Sequence, residues 1–116
     1  MKRATLLVLV FTVFSCATVY AHPPSEIDTS YDAQKGELAV TVHHDTSDPA
    51  SHYVRKIEVA RGGEVIALKD FTSQTDASVQ KATIEVKAQK PGEKVRVIAY
   101  CSLYGDKEKV AALIQK

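Results

Sequence analysis

The chain reads as a single small all-β domain, an immunoglobulin-like antiparallel β-sandwich of about seven short strands. Two observations predict it. Nearly every apolar run alternates with period two, the pattern of a half-buried strand, and none holds a helical period for long. Turn signals also recur between those runs, at the spacing expected of sandwich folds.

Taken in order, Leu38, Val40 and Val42 share one face of a strand spanning roughly 37–44. Tyr53, Arg55, Ile57 and Val59 alternate across 53–60, and Arg61-Gly62-Gly63 makes a turn from which 64–69 returns as the second arm of a hairpin. The segment 73–78 is polar and loop-like. Ile84 and Val86 mark a strand over 82–88. Lys90-Pro91-Gly92-Glu93 is a turn, because proline presets φ and glycine accepts positive φ. Val95, Val97, Ala99 and Cys101 then share one face of 94–101. The run 110–114 suits a short closing strand or a helical turn. Gly62-Gly63 is a hairpin turn and not a phosphate loop, since no phosphate-binding helix follows it.

Residues 1–21 have the composition of a secretory signal peptide. Lys2 and Arg3 give a positive start, 4–14 is apolar but too short to span a membrane, and Val19-Tyr20-Ala21 offers small residues for cleavage after Ala21. The protein is then expected to be secreted or periplasmic, with a domain at 22–116. A rival reading takes Val13-Phe14-Ser15-Cys16 as a lipobox with Cys16 lipidated, although Phe14 is bulky for such a site. Removing Lys2 and Arg3 from the 15 basic residues leaves 13 against 14 acidic ones, a balance that gives no reason to expect nucleic acid or an anionic membrane as partner.

The residues that carry chemistry are few and grouped. All four histidines, His22, His43, His44 and His52, fall in the first half of the chain, and Cys101 is the only cysteine outside the leader. A lone thiol in an oxidising compartment needs burial, a partner chain or a metal. Imidazoles with one thiolate form a mixed nitrogen and sulfur donor set suited to iron, copper or zinc. His44 and His52 flank a polar loop and can point into one mouth of the sandwich. His43 and His44 are adjacent, so in a strand they face opposite sides and do not both reach one metal.

Three segments resemble the iron-binding domain of superoxide reductases, the desulfoferrodoxin family. His22-Pro23-Pro24 leading into a short strand is similar to the family's opening His-x-Pro. His44, a short loop and His52-Tyr53-Val54 running into Ile57-Glu58-Val59 resemble its His-Pro-loop-His-Tyr-Ile segment. Tyr100-Cys101-Ser102-Leu103-Tyr104-Gly105 is close to its Tyr-Cys-Asn-x-His-Gly. The likeness covers the chain from 22 onward.

It implies a mononuclear ferrous iron held by His22, His44, His52 and Cys101. The activity it implies is one-electron reduction of superoxide to hydrogen peroxide, with His22 and Cys101 as the catalytic ligands. Tyr104 stands where the family has its last histidine, the loop from His44 to His52 is two residues longer, and no lysine precedes His22. Turnover also requires an external electron donor, because the chain has no rubredoxin-like cysteine quartet. Two other readings fit the same residues. One is a copper-binding protein that chelates through the amine and imidazole of an N-terminal His22, the histidine brace. The other is a non-enzymatic immunoglobulin-like module with Cys101 in its core. The oligomeric state is not legible.

Overall fold

The computed structural model describes Val10, Thr12 and residues 22–115. The signal peptide over 1–21 and the alternative lipidation at Cys16 therefore lie outside the described residues, apart from Val10 and Thr12.

Seven strands follow one another: β1 (Glu26–Asp32), β2 (Glu37–His43), β3 (Val54–Arg61), β4 (Glu64–Asp70), β5 (Val79–Glu85), β6 (Lys94–Cys101) and β7 (Asp106–Ala112). They form two antiparallel sheets, one of order β1-β2-β5 and one of order β4-β3-β6-β7. The two inner faces close on one core. Leu38, Val40 and Val42 from β2 meet Ile57 and Val59 from β3 and Val95, Val97 and Ala99 from β6, all in a single buried cluster. The fold expected from period-two alternation is the one observed. Burying a side chain of this size contributes about 1.5–3 kcal/mol, so this cluster is the main source of stability.

Four details depart from the sequence expectation. The strand β1 has a weak pattern, with only Ile27 and Tyr31 fully buried along it. β5 begins and ends about three residues before the expected 82–88. Asp76 accounts for the early start, since its side chain accepts the N–H groups of Ser78 and Val79 and turns the chain into pairing there. β7 occupies 106–112 as a strand, pairing along its whole length with β6.

The fourth departure lies in β3. Arg55 is exposed and does not share a face with Ile57. Val54 pairs with Cys101 and Lys56 with Tyr100, so Arg55 is the extra residue of a β-bulge. The bulge restores phase: Val54 and Ile57 are an odd number of residues apart, yet both are fully buried.

At the end of the sandwich that holds the β6 start, Arg61 grips Glu93 through its guanidinium Nε and Nη2, and Gln89 N–H donates to the same carboxylate at 2.6 Å. The Arg61 bond first, then the Gln89 amide, hold the Glu93 carboxyl below its ordinary value of 4.5. A depressed carboxylate stabilises the fold above its unfolded-state pKa and loses that contribution as pH falls through the folded one. Glu93→Gln is therefore expected to be less stable than the parent at neutral pH. The gap in denaturant midpoint should close as pH drops below about 4.5, and a gap independent of pH would show that the ion pair is not its source.

Candidate metal centre

Strand direction alternates strictly, so the start of every odd-numbered strand and the end of every even-numbered one share one end of the sandwich. His22 precedes β1, His44 follows β2, His52 precedes β3, and Cys101 ends β6. Topology alone therefore brings these four residues to the same mouth, where the structure gathers the three histidines closely and sets Cys101 beside His52.

The candidate ligand atoms of His22, His44 and His52 all lie within 4.8 Å of one another. Their ring centroids are 4.6–5.3 Å apart, and the His44 and His52 rings meet edge to face at 87°. Cys101 adjoins the trio, its Sγ 3.1 Å from His52 Nε2. His44 is fully buried, His52 and Cys101 nearly so, and His22 forms the more accessible side.

Each member is held locally. The chain after β2 stays bonded beside β5 through His44 N–H to Ser78 O and Thr46 N–H to Ala77 O. Asp48 then organises the long loop: its backbone oxygen accepts the N–H groups of Ser51 and His52, and its carboxylate accepts Ala50 N–H. That last bond, with help from Ser51, draws the Asp48 carboxyl below its ordinary value. Ser102 clamps the β6–β7 turn to the residue after His52, donating its N–H to Tyr53 O and accepting Tyr53 N–H at its hydroxyl. Leu103 N–H donates weakly to Cys101 Sγ at 3.5 Å.

His22 is carried in on a strap, residues 22–25. Ser25 donates its N–H to His43 O at 2.8 Å, and Pro24 is buried. Pro23 crosses directly over Gly105, which has φ of +78° and no room for a side chain: a Cβ there would lie 2.9 Å from Pro23 Cβ. Gly105 is thus required twice, by its backbone and by the strap.

Gln74 organises the surroundings of His44. This residue is buried, and its Oε1 receives the Val54 N–H while its Nε2 donates to the carbonyls of His44 and Asp76. The same Oε1 lies 2.8 Å from His44 Nδ1, and the His22 carbonyl oxygen lies 3.1 Å from His44 Nε2, so each ring nitrogen faces an acceptor. A ring with one proton satisfies one of them, and a second proton or a metal cation at the other nitrogen relieves the remaining repulsion. His52 is pushed below the ordinary imidazole value of 6.5 by burial first and then by His44 and His22, which favours the neutral, ligand-competent ring.

The remaining sequence candidates lie elsewhere. His43 faces outward from the β1-β2-β5 sheet, its Nε2 2.7 Å from Asp28 Oδ2, and with Glu26 these form a separate, more exposed group. Tyr104 is 67% exposed, so it does not supply packing beside the centre. Gln74 escaped the sequence reading because it sits in a polar run with no periodic signal.

The fold and the site together define a small β-sandwich protein with a histidine cluster capable of holding a metal ion. No family model matches the chain, and no curated protein matches it significantly. Among solved structures it is similar to a hypothetical protein, PH1083, from Pyrococcus horikoshii OT3, at 21% identity and a TM-score of 0.53 over 78% of this chain and 88% of that one. At that identity the likeness bears on the fold alone. No helix among the described residues is long and apolar enough to cross a membrane.

Gly105→Ala is expected to cost about 1–2 kcal/mol from the left-handed backbone alone, and to release the strap. Denaturant unfolding reads the first effect. Faster hydrogen exchange at the Ser25 amide reads the second, and unchanged exchange there would show that the strap does not depend on the turn.

Proposed function

We propose that this protein binds one iron ion through His22, His44, His52 and Cys101 and reduces superoxide to hydrogen peroxide. The observation that carries the reading is the convergence of three imidazoles and one thiol in a buried mouth, on the segments that resemble the superoxide reductase motif. The donor set fits the group: neutral nitrogen ligands with a single thiolate suit iron better than calcium or magnesium, which take oxygen. Bound ferrous iron would supply the single electron, with thiolate ligation raising electron density at the metal.

The chain's own residues then have separable tasks. His44 and His52, tucked against Gln74 and Cys101, exclude water from the inner side. Cys101 would hold the cation as a thiolate, giving up its proton on binding as thiol ligands must. The Leu103 N–H and the buried setting hold the sulfur in place. His22, on the accessible side, leaves a route by which a small anion can reach the mouth. One superoxide takes up one electron and two protons to leave as hydrogen peroxide, and an external reductant must restore the electron.

The test is metal content and visible absorption of protein purified with its native N-terminus and then oxidised. One equivalent of iron is expected, with a thiolate charge-transfer band that disappears in Cys101→Ser. Reduced protein should consume superoxide and yield peroxide without evolving oxygen. Copper with no sulfur-dependent band, abolished by adding one residue ahead of His22, would replace this reading with the histidine brace. No metal after anaerobic reconstitution would leave a structural module.

A further inference from the structure

We infer that Gln74 is the positioning residue of this centre: its side-chain amide sets His44 as the Nδ1–H tautomer and thereby commits His44 Nε2 to the metal. The inference rests on reading the cluster of His22, His44 and His52 as a metal site, and it names a residue outside the ligand set.

The amide has one orientation that satisfies its surroundings. Its Nε2 lies 2.6 Å from His44 O and 2.9 Å from Asp76 O, both acceptors, while its Oε1 lies 3.2 Å from Val54 N, a donor. Turning the amide over would set oxygen against two carbonyls and NH2 against an N–H. The oxygen therefore faces His44 Nδ1 at 2.8 Å, while His44 Nε2 faces a second acceptor, the His22 carbonyl oxygen, at 3.1 Å. The Gln74 contact is the shorter and is fully buried, so a single ring proton goes to Nδ1 and leaves the lone pair at Nε2 on the His22 side. Ligating histidines commonly have such an outer partner, which orients the ring and raises its basicity.

Gln74 also sets where the ring sits. It holds His44 by the ring and by the backbone carbonyl, so rotation about the side chain is opposed at both ends. Its own N–H donates to Pro49 O at 3.0 Å, tying the same residue to the loop that ends in His52. Its Oε1 is bonded to Val54, whose strand partner is Cys101. One buried residue thus bonds to the segments that deliver His44 and His52, and through Val54 it borders the strand that delivers Cys101.

The experiment uses the full chain, metal-free and 15N-labelled at histidine, with long-range proton–nitrogen correlation at about pH 8, above the ordinary imidazole range. His44 is expected as the Nδ1–H tautomer. Co2+ titration then serves as the metal probe on the parent, Gln74→Leu and Gln74→Glu. Gln74→Leu should lose the tautomer preference and bind Co2+ about 10–100-fold more weakly. Gln74→Glu keeps an acceptor for Nδ1, so it should retain the tautomer and most of the affinity although it loses both amide donor bonds.

An Nε2–H tautomer in the parent overturns the inference whatever the metal result, and needs no variant to fold. A folded Gln74→Leu with parental tautomer and affinity overturns it equally. A parent with the Nδ1–H tautomer that takes up no Co2+, and in which His44→Ala changes nothing, overturns instead the metal reading on which the inference stands.

Discussion

The alternation of strand direction is the constraint from which the centre follows. In an antiparallel sandwich each crossing of the chain returns to the end it left, so residues far apart in sequence share a mouth. His22 and Cys101 are separated by most of the domain and still both lie beside His52. The same rule puts the β4–β5 loop, with Gln74, at that mouth rather than at the Arg61–Glu93 end. No loop has to reach far. Each contributes one or two side chains from a position that pairing in the sheets already determines, which is why a domain this small can assemble a site from four separate segments.

The bulge at Arg55 makes this end of the sandwich work. Without the extra residue, β3 would reach the mouth out of phase, with Val54 turned from the core. With it, Val54 is buried opposite Cys101 and its N–H is aimed at Gln74. Bulges commonly re-aim side chains beside functional sites. On the partner strand, ordinary alternation separates two environments one residue apart: Cys101 faces inward, while Tyr100 lies on the outer face, bonded to Glu58 and flanked by Arg55 and Lys56. Partial burial first, then the Glu58 carboxylate bond, raise the Tyr100 phenol above its ordinary value, so it stays a neutral donor on that face.

The parts legible in the sequence were those with a local signature. Period-two alternation locates β2 and β6 within a residue, because their buried residues keep phase from end to end, and the Gly62-Gly63 turn locates β4, which has no buried residue. It fails at Arg55, where a bulge shifts the phase, and it says little at β1, where Thr29 between Ile27 and Tyr31 breaks the apolar series. The adjacency rule separates His43 from His44 correctly, since consecutive strand residues face opposite sides. Gln74 was beyond reach. Its role depends on hydrogen bonds to residues 30 and 20 positions away, and a buried glutamine in a serine- and threonine-rich run looks like any solvated loop residue. Tyr104 shows the converse: its place in the motif suggested proximity to the site, but the tight turn closed by Cys101 N–H and Gly105 O leaves it exposed.

The energetics of the cluster argue that it was not assembled for stability. Three imidazoles packed within ring contact of one another bury polar nitrogens that water would otherwise satisfy. Apolar residues of similar volume at these positions would pack more favourably, as buried polar groups gain little net free energy even when paired. Every buried side-chain nitrogen and oxygen among the described residues nevertheless has a polar neighbour within hydrogen-bond distance, so the cost is limited. What persists is that His44 has an acceptor on either side, Gln74 Oε1 and the His22 carbonyl oxygen, the latter brought in by a strap that Gly105 and Ser25 hold down. A glycine, a buried glutamine and a bulge hold these polar side chains in one mouth, where the ring nitrogens could share a positive charge.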